Sequence, residues 1–134
     1  MHRESVPPVA FFLTFGANGI ANTAATRFLP QGYSTVTAGT TSLDFRIGAP
    51  CFVARIDMNA RVAGGAGQTM TGVVRKNGAP TAAALATASN ATTGSQTLAA
   101  PLSFLPGDTL GVEVDKSAGF ASPTDLFYTL TIYI

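Results

Sequence analysis

An Asn-Gly pair between two extended stretches limits the folds open to this chain. Asn77-Gly78 follows the β-branched stretch at residues 71–76 and precedes Ala79-Pro80. Asn and Gly tolerate the positive φ that both central residues of a type I′ turn require, and the pair is the strongest short-range signal for a β-hairpin. We therefore expect a second strand at residues 80–88. Its alanine-rich centre also has helical propensity, but the flanking turn signals favour a strand.

Alternating apolar and polar stretches recur along the rest of the chain at short spacing, with turn residues between them. This pattern is typical of a sandwich or barrel and not of alternating strands and helices. We predict an all-β fold, an antiparallel β-sandwich of jelly-roll type with about eight strands and no long helix. The predicted strands cover residues 9–15, 42–47, 51–62, 68–76, 80–88, 95–104, 109–116 and 126–134. Residues 9–134 form the single domain, and residues 1–8 precede it as an N-terminal arm.

The strand predicted at residues 51–62 is unusually long and alternates throughout. One face is expected to carry the apolar side chains and the other the charged and amide side chains. The predicted inner residues are Phe52, Ala54, Ile56, Met58, Ala60 and Val62. The sequence therefore predicts one regular, half-buried strand.

The last predicted strand, residues 126–134, carries no charge on either face. One face holds Leu126, Tyr128, Leu130, Ile132 and Ile134, and the other holds Phe127, Thr129, Thr131 and Tyr133. Strands that are covered on both sides have this composition, whereas one face of a single sandwich is expected to contact water. The strand is therefore either central and covered within the chain, or it contributes to contacts between subunits.

The low charge content bears on the kind of partner. Charged residues make up 11% of the chain, against about 25% in typical globular domains. This indicates that part of the surface is covered by other copies or by a larger assembly; a monomer with a Thr-, Ser- and Asn-rich exterior is the alternative. The net charge of +1 argues against a nucleic-acid partner. No apolar run reaches the roughly 18 residues of a membrane span, and no signal peptide is expected.

Few residues suit catalysis or metal binding. His2 is the only histidine and Cys51 the only cysteine, which we expect to be buried. Glu113 and Asp115 share one face of a predicted strand, and we expect that face to be solvated and not to hold an acid–base pair. The sequence therefore predicts no catalytic residues, no metal site and no cofactor, and a protein that is not an enzyme.

Several turn-containing segments resemble small virion proteins of tailed bacteriophages. They are residues 12–19 (FLTFGANG), 26–32 (TRFLPQG), 71–78 (TGVVRKNG), 102–114 (LSFLPGDTLGVEV) and 122–125 (SPTD) before the last apolar strand. The pattern is similar to the jelly-roll domains of capsid decoration proteins, head fibres and tail-fibre tips, whose architecture is similar to that of C1q and TNF heads.

The resemblance implies a homotrimer with its chain termini and apolar strands near the threefold axis. In such a trimer Phe127, Thr129, Thr131 and Tyr133 are the candidate interface residues. Because only residues 1–8 precede the domain, a capsid decoration (cement) protein fits better than a fibre tip. It would be made in the host cytoplasm, lie on the capsid exterior and bind the major capsid protein, with no nucleic-acid or membrane partner. The candidate capsid contacts are His2, Arg3, Glu4, Val6, Pro7 and Pro8.

Two other functions remain open from the sequence. The first is a tail-fibre or tail-tip module that recognises cell-surface glycan, with Tyr33 and Phe120 as stacking platforms. Both aromatic residues would otherwise pack in the core or a loop. The second is a small β-sandwich lyase or hydrolase, which the missing acid–base constellation disfavours.

Overall fold

The computed structural model describes residues 9–42, 44–119 and 121–134, and these ranges contain ten strands and no helix. The predicted arm at residues 1–8 lies outside the described residues, as do Leu43 and Phe120. The strands are β1 (Ala10–Gly19), β2 (Ala25–Leu29), β3 (Gly32–Thr37), β4 (Phe45–Arg46), β5 (Cys51–Val62), β6 (Thr69–Lys76), β7 (Ala79–Ala88), β8 (Thr93–Phe104), β9 (Thr109–Lys116) and β10 (Thr124–Tyr133). In the described ranges, no helix has the length and apolar character needed to cross a membrane.

The strands form two sheets that pack face to face, which confirms the predicted all-β sandwich. Sheet I has the order β3-β1-β10-β5-β8, and sheet II has the order β2-β9-β6-β7 with β4 also paired to β9. Every pair is antiparallel except β1 with β3. In sheet I the first strand lies beside the last, and in sheet II β2 and β4 lie beside the next-to-last. This nested pairing agrees with the jelly-roll type.

The strand count exceeds the predicted eight because of the segment between β1 and β5. β2 and β4 pair with different parts of β9, so they occupy the place of one interrupted strand. β3 is an additional edge strand, which pairs in parallel with the end of β1. The predicted strand at residues 42–47 is correspondingly shortened to β4. The strand predicted to end at residue 15 is longer than expected, because residues 16–19 continue β1.

The Asn-Gly hairpin is confirmed. Asn77 and Gly78 have φ values of 52° and 81°, as a type I′ turn requires, and the turn joins β6 to β7. The Asn77 side chain accepts a hydrogen bond from the Thr109 backbone N–H at 3.0 Å and donates one to Asp108 Oδ1 at 3.1 Å. The tip of the hairpin is therefore hydrogen-bonded to the turn that precedes β9.

The long strand β5 has the predicted bounds but not the predicted regular alternation. The pairing register shifts at Ala54, between Val53 and Arg55 against β8, and between Thr131 and Ile132 of β10. A bulge of this kind moves the residues that precede it to the opposite face. Val53 is consequently buried, and Phe52 lies on the outer face instead of in the core.

The core lies between the two sheets and is centred on β10. The inner side chains of this strand have no exposed surface; they are Leu126, Tyr128, Leu130 and Ile132. From sheet II, Gly72 of β6 faces the ring of Tyr128, and a Cβ built on Gly72 would lie 2.1 Å from Tyr128 Cε1. The missing side chain at residue 72 therefore makes the space that the tyrosine ring occupies.

Substituting Gly72→Ala tests this contact. The added methyl group overlaps a fully buried ring, so we expect the free energy of unfolding to fall by roughly 1–3 kcal/mol, measured by denaturant unfolding. Gly48→Ala is the control, since a Cβ there meets no atom within 4 Å, and it should change stability by less than about 0.5 kcal/mol. Equal stability of the two variants would contradict the packing described here.

Candidate functional site

The outer side of sheet I carries a surface without charged side chains along its centre. The four residues predicted for subunit contacts alternate along β10 and are all half-buried, because β10 lies between β1 and β5. Neighbouring side chains on β1 and β5 extend the surface on both sides. We name this surface the uncharged face; its residues are Phe12, Thr14, Phe52, Phe127, Thr129, Thr131 and Tyr133.

Contacts between strands hold the uncharged face together. Thr14 and Thr129 are register partners, and their hydroxyl oxygens lie 3.2 Å apart. Phe52 stacks on Tyr133 with ring centroids 5.6 Å apart. Phe12 is opposite Thr131 and is 69% exposed, so a large apolar side chain projects from the surface at this point. Of the two possibilities for this strand, the structure thus shows that β10 is central and that its inner face is covered within the chain, while its outer face is half-exposed.

The charges beside this face occur in oppositely charged pairs of the same chain. Arg55 Nε lies 3.0 Å from Asp57 Oδ2 on β5, and Arg61 donates from Nε to Asp125 Oδ2. Exposed pairs of this kind contribute little stability. They do, however, leave this side of the sheet without a net field that would repel a second copy.

The Phe127 end of the uncharged face holds a cluster of aromatic and polar groups. Tyr33 on β3 stacks on Phe127 with ring centroids 5.3 Å apart and an interplanar angle of 24°. Gly16 makes this possible, because a Cβ there would lie 2.5 Å from Phe127 Cδ1. The Tyr33 hydroxyl donates to Asp125 Oδ1, and Arg61 binds the other carboxylate oxygen. Asp125 itself has a φ of 52°, in the left-handed region.

The hydrogen bonds in this cluster fix its protonation states. The bond from the Tyr33 hydroxyl, followed by the bond from Arg61, lowers the pKa of Asp125 below its ordinary value. The same bond to Asp125 raises the pKa of Tyr33. Asp125 is thus held as a carboxylate and Tyr33 as a neutral phenol. Sequence reasoning singled out Tyr33 but missed Asp125 and Arg61 as its partners, because Tyr33 and Asp125 are 92 residues apart.

Glu113 is not on a solvated face, so that prediction is wrong. It is 4% exposed and accepts a hydrogen bond from Arg75 Nη1 at 2.8 Å. The Arg75 guanidinium carbon in turn lies 4.6 Å from the centroid of the Phe28 ring. Burial, followed by a hydrogen bond with Asp115, raises the pKa of Glu113. Glu113, Arg75 and Phe28 thus form a cluster on the outer side of sheet II, with Arg75 in contact with both of the others.

The other residues singled out in the sequence lie partly inside and partly outside the described ranges. Cys51 is buried, as predicted, and burial raises the pKa of its thiol. The candidate capsid contacts at residues 2–8, and Phe120 as a stacking platform, lie outside the described residues. In the part of the chain that the structure describes, no three His, Cys, Asp or Glu side chains group together as metal ligands would.

Comparisons with known proteins do not assign the chain to a family. No protein-family model matches the chain, and a search of curated proteins finds no match.

The cluster at Tyr33 gives a prediction for Asp125. Replacing Tyr33 by Phe removes the largest cause of the lowered pKa, so we expect the Asp125 pKa to rise toward its ordinary value. An ionised Asp125 favours the folded state. Its contribution to stability is therefore present at a pH above the pKa that Asp125 has in the unfolded chain, and it is lost as the pH falls through the lower pKa that Asp125 has in the folded protein. The pKa is measured by NMR titration of the side-chain carboxyl carbon.

Tyr133→Phe is the matched control, because Tyr133 stacks on Phe52 at the other end of the uncharged face. It should leave the Asp125 titration unchanged. An Asp125 pKa that is unchanged in Tyr33→Phe, or that changes equally in both variants, would contradict the assigned hydrogen bond.

Proposed function

We propose that this protein is a structural virion protein of a tailed phage, a homotrimeric capsid decoration protein that binds and stabilises the major capsid shell. The observation that supports the proposal most directly is the uncharged face on the outer side of sheet I. The sandwich architecture agrees with the virion proteins that the sequence resembles. The protein would lie on the capsid exterior and act by binding, without chemistry.

The uncharged face suits contact between copies of this chain. It combines an exposed Phe12 and a stacked aromatic pair, Phe52 and Tyr133, with threonine side chains, of which Thr14 and Thr129 already hydrogen-bond each other. Fully burying a phenylalanine side chain contributes about 1.5–3 kcal/mol. Three such faces meeting around an axis would remove this apolar area from water and would account for the low charge content of the chain.

The contact between Val9 and Ile134 agrees with this arrangement. The Ile134 backbone N–H donates to the Val9 carbonyl at 3.1 Å, beside the end of sheet I where Phe52 stacks on Tyr133. Val9, the first residue of the predicted domain, therefore lies next to the proposed interface. We propose that the arm contacts the major capsid protein, so that each trimer bridges neighbouring capsid subunits and adds binding energy against internal pressure.

A charge at the centre of the uncharged face tests the trimer. We expect the unchanged protein to give a trimer mass by light scattering after size exclusion, and Thr131→Arg to give a monomer, because three buried guanidinium groups would be brought together without partners. Ala86→Arg is the control: Ala86 is an exposed strand residue on sheet II, and this variant should remain trimeric. A monomeric unchanged protein, or a trimeric Thr131→Arg, would refute the proposed interface.

Deleting residues 2–8 tests the contact with the capsid. We expect the shortened protein to keep its thermal midpoint and its trimer mass, since the strands that the structure describes lie within residues 10–133, but to occupy undecorated capsids less. Occupancy is measured by quantitative gel analysis of purified particles after mixing. Occupancy equal to that of the full chain would defeat the proposed role of the arm.

A further inference from the structure

We infer that the depression beside Tyr33 at the edge of sheet I binds an uncharged saccharide. The depression has a volume of about 560 Å³, within the range of small-molecule sites. Its walls are formed by Tyr33, Asn59, Ala60, Arg61, Asp125 and Phe127. This inference does not rest on the proposed role in the capsid. Phe127 belongs both to the uncharged face and to the depression, so the two proposals are compatible only where the contact between copies leaves the Tyr33 side of Phe127 open.

The aromatic residues provide a stacking surface. One ring face of Tyr33 is against Phe127, and the side chain is still 45% exposed. β3 is the edge strand of sheet I, so in the described part of the chain no strand lies beyond Tyr33 to cover it. The C–H face of a pyranose ring is apolar and packs on aromatic rings, which present a large surface at a small cost in conformational entropy.

The polar groups provide hydrogen bonds of both kinds at one place. Each oxygen of the Asp125 carboxylate accepts one bond, from Tyr33 or Arg61, and retains capacity for another. Arg61 engages Asp125 through Nε, and its side chain is 67% exposed, so the guanidinium group is accessible from solvent. Asn59 is opposite Phe127 in the strand register and adds an amide. Neighbouring sugar hydroxyls, which donate and accept at once, match a carboxylate next to a guanidinium and an amide.

The charges indicate why the sugar is uncharged. Arg61 and Asp125 neutralise each other, and Asp125 stays ionised because its pKa is lowered by its two hydrogen bonds. Because the pair carries no net charge, an acidic sugar gains no net attraction from it and must still give up the hydration of its own carboxylate. A neutral, hydroxyl-rich ring meets no such cost.

The groups are also held in place before a ligand arrives. Asp125, Arg61 and Tyr33 belong to strands of one sheet, and the first two face each other across the paired strands β10 and β5. The positive φ at Asp125 is uncommon for a non-glycine residue, and conformations of this kind are concentrated at binding sites. A site on strands with fixed partners loses little entropy on binding.

The experiment uses the full chain and three defined probes: maltotetraose and chitotetraose, which are neutral, and tetragalacturonic acid, which is charged. Binding is followed by saturation-transfer NMR and titration calorimetry. We expect at least one neutral probe to bind at one site per chain, with tetragalacturonic acid bound at least tenfold more weakly. Failure of both neutral probes to bind, or preference for the charged probe, would overturn the inference.

Three variants locate the site. Arg61→Gln and Tyr33→Ala should each weaken binding of the neutral probe about tenfold or more, since each removes a charged hydrogen-bond donor or the stacking ring. Arg55→Gln is the matched control, because Arg55 forms an Arg–Asp pair on the same side of the same sheet without a stacked ring, and it should bind as the unchanged protein does. Equal weakening by all three variants would overturn the assigned location.

Light scattering of each variant keeps this test separate from that of the trimer. We expect Arg61→Gln to lose sugar binding with its oligomeric mass unchanged. Binding that disappears only together with a change in mass would overturn the inference, since the cluster would then act between subunits and not on a sugar. A monomeric protein that binds the neutral probes would uphold the saccharide site while refuting the proposed trimer.

Discussion

The structure depends on how one strand is buried. β10 lies at the centre of sheet I, and its four inner side chains fill the space between the sheets without any exposed surface. The largest of them, Tyr128, fits because Gly72 on the opposing sheet has no side chain. Close packing of this kind does not tolerate a change of register, since a shift by one residue would exchange the inner and outer side chains of β10. The composition of the outer surface is therefore fixed by the packing of the core.

That coupling decides where an interaction surface can form. Once Leu130 and Tyr128 are inside, Thr129 and Thr131 must be outside, and the partners of β10 on β1 add Phe12 and Thr14 to the same surface. Towards one end of β10 the row is apolar and uncharged. At the other it meets the cluster of Tyr33, Asp125 and Arg61. One strand thus presents two neighbouring surfaces of different chemistry, of which we assign the first to contact between copies and the second to a sugar.

Much of the fold could be predicted because its signals are local. The Asn-Gly turn and the alternation along β9 depend on residues close in sequence, and β5, β6, β7 and β9 were placed to within one residue of their bounds. The bulge at Ala54 could not be predicted, since it arises from the pairing of β5 with two other strands. The short strands β2 and β3 were missed because their pairing partners, not their own sequences, make them strands.

The candidate site was predictable only in part, for the same physical reason. The composition of β10 marked Phe127, Thr129, Thr131 and Tyr133 as one surface, because alternation within a strand is local. The partners of Tyr33 come from strands far along the chain. The burial of Glu113 was not predicted because its partner Arg75, and the Phe28 ring that Arg75 packs on, come from two other strands. Contacts between strands that are distant in sequence leave no periodic signal.

The central position of β10 also has a consequence for the order of folding. β10 is the last strand in the sequence, yet both β1 and β5 pair with it and not with each other. Sheet I is therefore incomplete until β10 itself has left the ribosome, and closing it joins segments more than a hundred residues apart. Such non-local pairing makes folding slow. Until β10 pairs with them, β1 and β5 each present an unpaired edge, and unpaired edges of this kind promote aggregation.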